Sequence, residues 1–502
     1  MAAAAQEYQE AFAAYQAGDH ARARAMLERG LARAPHDAAS LLLLGVVQDK
    51  ADAALSLALL ERACWRDPAH ASAWYNLAVV EAERGNLAAA AAAYRRCIGL
   101  EPTHLEGLGN GAEVLRRLEE FDDALAWADR RLALQPGHWP SVLNRAVCLF
   151  QMRRFEAAHA AFAQARTLSA GAPIVEWERF GPLLHEKQFG DAWDAFAHRF
   201  AIGHLTGVFH YPFEFPLWRG ESLSGKHILI HNEQGLGDQI MFACAVPEVI
   251  AAARAVTLVV APTLVDVFAA SFPQARVLPA RFGRFAGDHP IPEWIGSLGD
   301  IDVHAPIGSL MAILRREAAR FAEPRAYLRP SAAARARWAA FDPGRGLKVG
   351  LCWASNPALF RRDSAARAVK KSMAFDALAP LGDLGGARFV SVLNWPLAAE
   401  QAPFAAAVTD LSDRLESFDD TAALIEHMDV IVTVDTAVAH MAGALGKETW
   451  LMLHDLPDAR WEMTASRSYW YPNMRLFRQQ SRGDWGAVVS AIGDALHDRI
   501  GA

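Results

Sequence analysis

The chain has 502 residues, 52% of them hydrophobic and 21% charged, with a formal net charge of −7, and is too long for one ordinary core at roughly 100 to 200 residues per domain. This mild acidity lacks the basic footprint that nucleic-acid binding requires. Five cysteines, Cys64, Cys97, Cys148, Cys244 and Cys352, stand far apart with no Cys-x-x-Cys pair or histidine at ligand spacing, which argues against a zinc site or a disulfide framework and for reduced, mostly buried thiols.

The N-terminus, MAAAAQEYQEAF, has no basic segment followed by an apolar one, and the longest apolar candidate, residues 255–272, is broken by Pro262 and Asp266. No transmembrane segment is expected, and the protein is expected in the cytoplasm.

Prolines recur at Pro35, Pro68, Pro102 and Pro136, separations of 33, 34 and 34, the period of stacked helix-turn-helix units. In AHASAWYNLAVVEAERGNLAAAAAAYRRCIGLEP, residues 69–102, Trp74 and Leu77 form an apolar face on a first helix, and Gly85 turns the chain. Ala90 and Tyr94 then face back from a second helix, and Pro102 ends the unit. Ala23, Ala90, Ala124 and Ala158 occupy one repeat position, where paired helices must approach, with bulky partners at Leu27, Tyr94 and Phe162. The pattern resembles the tetratricopeptide repeat. Five repeats run to about residue 170, and HEKQFGDAWDAFAHRF, with Ala192 and Phe196, reads as a divergent sixth pair capping an array over residues 1–202.

Asn76, Asn110 and Asn144 share one position on the first helix of repeats three, four and five. A row of amides that both donate and accept suits an extended peptide backbone. Asparagine is also common at this position in such repeats, so a plain solvated face stands as the other reading.

Residues 203–226 lose the period and gather glycine, proline and aromatics, as a linker does. From residue 227 apolar strands alternate with amphipathic helices, which implies parallel sheets covered by helices. A second such series begins at LKVGLCWA, so residues 227–345 and 346–502 are expected to form two Rossmann-like lobes facing a cleft.

Two strand-to-helix turns stand out, because ligands of open parallel sheets bind beyond the carboxyl ends of the strands. In VIVTVDTAVAHMAGALGK the strand stops at Asp435, Thr436 is a good N-cap, and compact Ala437 and Val438 would let a diphosphate approach the helix start. His440, one turn in, reads either as a satisfied core histidine or as a contact to an outer phosphate oxygen. In HILIHNEQGLGDQIMF, Gly235 and Gly237 precede Asp238, so neither the GxGxxG fingerprint nor a Walker loop is complete. Asp238 reads either as a helix cap or as a carboxylate on a rigid turn that accepts a proton. Asp300 and Asp302, in DIDVHAP, do not read as a metal site.

The stretches NEQGLGDQIMFA, VGLCWASNPALFRRDSAARAVKKSM, SFDDTAALIEHMDVIVTVDTAVAHMAGALGKETWLML and SYWYPNMRLFRQ together resemble glycosyltransferases of the heptosyltransferase kind, and more narrowly bacterial proteins that fuse tetratricopeptide repeats to such a domain. The likeness spans about residues 218–490 plus the repeats. It implies a GT-B fold, no required metal, no cofactor beyond a nucleotide-sugar co-substrate, and donor binding mainly by the C-terminal lobe. Position by position it implies that Asp238 is the general base and that Lys371, just before Ser372, contacts donor phosphate. Asp435 then lies near the donor sugar, while Thr436, Ala437, Val438 and His440 make the phosphate-binding helix start. Glu400, in LNWPLAAEQ, matches loosely the acid that holds the nucleoside ribose. Arg361, Arg362, Arg367 and Lys370 crowd the loop of Lys371 and are alternatives to it. Ala437 stands where the family often has glycine.

The expected activity is inverting transfer of a sugar to a hydroxyl acceptor, on a flagellar or surface protein recruited by the repeats. A lipopolysaccharide-core heptosyltransferase and an inactive repeat scaffold are the rival readings.

Overall fold

The structure, a computed structural model, describes residues 2–48, 52–211, 213–286, 289–321, 326–355, 370–395 and 402–501. The chain divides into two compact units, Met1–Val175 and Glu176–Ala502.

The first unit holds helices α1 (Ala2–Gln16), α2 (His20–Arg33), α3 (Ala38–Gln48), α4 (Ala53–Arg66), α5 (Ala71–Glu83), α6 (Leu87–Leu100), α7 (Leu105–Arg117), α8 (Phe121–Leu134), α9 (Trp139–Gln151) and α10 (Phe155–Leu168). Each packs mainly on its neighbours in sequence, as in a solenoid. Ala23, Ala90, Ala124 and Ala158 are all 0% exposed, and so is Ser56 at the corresponding place in the second pair. Its hydroxyl would be costly there without a partner, and it donates to the Gly45 carbonyl at 2.8 Å. The turns inside the first, third, fourth and fifth pairs each hold a left-handed residue. Gly18 and Gly85 supply it at φ 78° and 81°, whereas Glu119 and Arg153 adopt it at φ 63° and 59°, a conformation that disfavours a Cβ by about 1–2 kcal/mol.

The sixth pair, α11 (Pro173–His185) and α12 (Phe189–Phe196), keeps the same turn, with Lys187 at φ 59°. Its packing differs from that of a simple array cap: α12 lies wholly in the second unit, against the sheet-bearing region. Phe189, Trp193 and Phe196 are at most 3% exposed and pack on Phe321, Trp470 and Phe242. Trp193 Nε1 donates to the Arg315 carbonyl at 2.8 Å, and Arg316 forks onto Asp194 at 2.8 and 2.9 Å.

Two parallel sheets follow. The first has the order β3-β2-β1-β6, from β1 (His227–His231), β2 (Ala255–Val260), β3 (Arg276–Pro279) and β6 (Val303–Pro306), with a separate antiparallel pair, β4 (Phe282–Ala286) and β5 (His289–Pro292). The second has the order β12-β11-β10-β7-β8-β9, from β7 (Leu347–Cys352), β8 (Ala387–Ser391), β9 (Val408–Thr409), β10 (Val430–Val434), β11 (Thr449–Leu453) and β12 (Met474–Arg478). Within each sheet the order reverses once, between β1 and β6 and between β7 and β10, and such switch points open a crevice at the strands' carboxyl ends. Every residue of β10 and β11 is buried, as expected where helices cover both faces. Part of the expected linker joins the first sheet: Trp218 N–H donates to the His304 carbonyl at 2.7 Å, and His304 N–H to that of Pro216 at 3.0 Å.

Candidate functional site

Asp238 lies on the helix Leu236–Phe242 that follows β1. The left-handed residue of its turn is Gln234, at φ 59°, rather than either glycine. Gly237 is needed for another reason, since a Cβ there would come within 2.7 Å of the His440 ring. Asp238 Oδ2 accepts the Gly235 N–H at 3.0 Å, a one-sided capping box because glycine has no side chain to reciprocate. Its Oδ1 lies 2.8 Å from Arg460 Nη1 in an ion pair. The capping reading of Asp238 is therefore realised, and its second oxygen is held by an ion pair.

At the second switch point β10 runs into Asp435 and then into the helix Ala437–Ala444. The Thr436 hydroxyl accepts the Val438 N–H at 3.2 Å and lies 3.6 Å from Cys352 Sγ at the end of β7, so it ties the two strands on either side of the crevice. This corrects one expectation: the Val438 N–H faces its own cap rather than being left for a phosphate. Ala437 begins the helix and is half-buried. Asp435, 7% exposed, forms an ion pair with Lys371. Burial alone would raise the Asp435 carboxyl and lower the Lys371 ammonium, and their mutual attraction reverses both shifts. Ser372 Oγ accepts the Ser355 N–H at 2.9 Å, which brings together the two ends of the loop after β7. Glu400 and the loop residues Arg361, Arg362 and Arg367 lie outside the described residues.

His440 is 2% exposed, and burial, reinforced by the charge of Arg460, pushes its imidazole down to about 4. Its Nδ1 lies 3.0 Å from the Tyr471 hydroxyl, and Tyr327 donates to the Ile240 carbonyl at 3.0 Å. With the Tyr327 proton committed there, the better-placed Tyr471 proton goes to Nδ1, which assigns the imidazole proton to Nε2. The core-histidine reading holds for this residue: it is a neutral, tyrosine-tethered ring against the Gly237 turn.

Arg460 and Asp458 carry as much of the site as the residues singled out from the sequence. They follow β11, with Arg460 Nε 2.9 Å from Asp458 Oδ1. Burial raises the Asp458 carboxyl, but Arg460 and then Lys371 outweigh it and hold it well below the usual carboxylate range. The signal for both was available, because LMLHDLPDAR places them just past the carboxyl end of an apolar strand, as VTVDTAVAH does for Asp435 and Thr436. Among the described residues the ion pairs of the crevice link three carboxylates, Asp238, Asp435 and Asp458, with two cations, Lys371 and Arg460.

The asparagine row does not form a uniform strip. Asn76 donates to the Ser72 carbonyl of its own helix at 2.8 Å, and Asn110 to the Tyr75 hydroxyl at 3.2 Å. Asn144 is 9% exposed and accepts from Arg116 at 3.2 Å, so burial removes it from any open groove. Asp302 accepts the His227 N–H at 2.6 Å, a structural role. Among the described residues no group of three or more His, Cys, Asp or Glu side chains is arranged to hold a metal, and no helix is long and apolar enough to cross a membrane.

The tetratricopeptide-repeat family model matches residues 8–54 and 48–103, so the N-terminal region carries repeats of this class. The chain is 28% identical over 359 residues to Protein FlbA of Caulobacter vibrioides, a match that covers 68% of this chain and 58% of that protein. It therefore spans less than two thirds of that relative's length. Among solved structures it is similar to MamA (19% identity, 32% of this chain and 94% of that one, TM-score 0.30). It is similar also to YrrB, described as a repeat protein with an unusual peptide-binding site (18%, 34% and 88%, TM-score 0.32), and to a tetratricopeptide repeat protein from Parabacteroides merdae (17%, 40% and 80%, TM-score 0.35).

Proposed function

We propose that the sheet-bearing region is an inverting glycosyltransferase of GT-B organisation, with two Rossmann-like lobes, which moves a sugar from a nucleotide-sugar to a hydroxyl on a protein recruited by the repeats. The observation that carries this reading is the ion pair of Asp238, from the switch point of one parallel sheet, with Arg460, which follows β11 of the other sheet beside the Lys371–Asp435 pair and the Thr436 turn at that sheet's switch point. In the reaction the acceptor oxygen bonds to the anomeric carbon and its proton passes to Asp238. The bond from that carbon to the diphosphate breaks, and its electron pair leaves on the diphosphate oxygen. Lys371, Arg460 and the helix start at Ala437 offset that developing charge, and His440 offers an N–H from Nε2.

The repeats suggest peptide or protein partners, and exposed Asn110 is the member of the row best placed to meet one. The test is intact-mass analysis of candidate acceptors incubated with a panel of nucleotide-sugars, comparing wild type with Asp238→Ala. Turnover by wild type and not by the variant supports the proposal. A second reading, a repeat scaffold without transferase activity, is favoured by the pairing of Asp238 with Gly235 N–H and with Arg460; absence of turnover, hydrolysis and binding with every donor would establish it.

A further inference from the structure

The engagement of Asp238 carries an inference of its own, which rests on the diphosphate reading above and concerns how that site is controlled. Asp238 is a carboxylate with one oxygen accepting from Gly235 N–H and the other, buried and without a hydrogen bond, held in an ion pair against Arg460, so neither oxygen stands open to a substrate proton. Yet the residue that covers it is a cation in the crevice where an anionic leaving group must sit. We propose that Arg460 is an electrostatic latch: its guanidinium pairs with Asp238, and an incoming diphosphate draws it away and uncovers the carboxylate.

Three features of the site support this. Arg460 is anchored from its own loop, with Nε 2.9 Å and Nη2 3.4 Å from the two Asp458 oxygens, so the group can pivot without leaving the crevice. The contact to be given up, the ion pair of Nη1 with Asp238 Oδ1 at 2.8 Å, is made to the facing turn. Guanidinium also matches phosphate oxygens in a forked geometry that a single carboxylate oxygen does not use.

Among the described residues Lys371 and Arg460 are each paired with carboxylates, so a diphosphate that binds either cation competes with a carboxylate for it. Lys371 is the poorer candidate, because it would abandon Asp435, whose side chain is 7% exposed and cannot readily rehydrate; Asp238, at 17%, is closer to water. Met241 Sδ, 4.0 Å from Arg460 Nη1, makes only a weak competing acceptor. The consequence is an ordered cycle in which the base becomes available only once a donor is bound.

The test is calorimetric titration of the full chain with sodium pyrophosphate, which carries the shared chemistry of every nucleoside diphosphate. Asp238→Asn removes the competitor for the guanidinium and is expected to tighten binding about tenfold, and Arg460→Gln to weaken it at least tenfold. The decisive result is the double variant, in which Asp238→Asn is expected to bring no gain once Arg460 is absent. An undiminished gain in that background would make Asp238 a general repeller of anions and overturn the latch while leaving the diphosphate site standing. Absence of pyrophosphate binding in all four proteins would overturn both. Arg460→Lys, which keeps the charge without the fork, replaces Arg460→Gln if the latter lowers the melting temperature.

Discussion

The two units of this chain solve the burial of polar groups in opposite ways. In the repeat unit the tight approaches are made by side chains with nothing to satisfy, Ala23, Ala90, Ala124 and Ala158, and the exception, Ser56, finds its partner on the adjoining helix. In the sheet-bearing unit charge is buried by long-range pairing: Arg199 and Glu233, 1% and 4% exposed along their side chains, bond at 2.8 and 2.9 Å, and Asp238, Asp435, Asp458, Lys371 and Arg460 share one crevice. Packing that depends on small size tolerates local change in polarity but not in volume. Packing that depends on paired charge is the reverse, since removing one partner strands the other.

The largest effect expected from this contrast is at Asp238. Asp238→Ala is expected to lower sugar transfer roughly a thousandfold, the range of a general base, while circular dichroism shows the fold retained; an activity loss below tenfold would return Asp238 to a purely capping role. Next comes volume in the other unit. Ala158→Leu is expected to destabilise the repeats by about 2–3 kcal/mol through overpacking. Hydrogen exchange resolved by segment should show this within residues 1–175, with pyrophosphate affinity unchanged.

Acid should distinguish the units as well. Burial pushes His231 and His304, whose rings lie 3.2 Å apart nitrogen to nitrogen, down to about 3 and about 4. Both are neutral in the folded and unfolded chain above pH about 6.5, so they exert no penalty there. As the pH falls below that value the unfolded chain takes up the protons first, and stability drops by up to roughly 1.4 kcal/mol per pH unit for each group. The loss continues to about pH 4 for His304 and about pH 3 for His231. Segment-resolved exchange at pH 7, 6 and 5 should show protection falling faster in residues 176–501, and His231→Gln with His304→Gln should flatten that slope. The smallest effect is at a cap: Thr436→Ala removes the bond from Val438 N–H and should cost about 1 kcal/mol, measured as a shift of the urea midpoint.

How legible each unit was follows from the same contrast. The repeat period, its small-residue column and the five helix pairs were readable because each depends on residues within about 34 positions, and the same side chain recurs where the same contact recurs. Other features were hidden. Gln234, not a glycine, holds the left-handed position of the Asp238 turn, because a backbone constrained on both sides tolerates strain that a propensity rule would not assign. Asn144 looks identical to Asn110 in the repeat register, yet Arg116 of a neighbouring helix covers it. Arg460 was passed over because its partner, Asp238, lies 222 positions away on another sheet.

By itself, then, the amino-acid sequence determined the elements: repeat helices from a period of about 34, buried parallel strands from apolar runs, and turns from the residues that end those strands. Those depend on local sterics and on the burial of nearby apolar groups, and they leave a periodic trace. The tertiary structure alone decided which charges met, that α12 packs on the sheet-bearing region, and that Asp238 is paired with an arginine. Ion pairs between distant segments impose no spacing on the chain, so no pattern in the sequence records them.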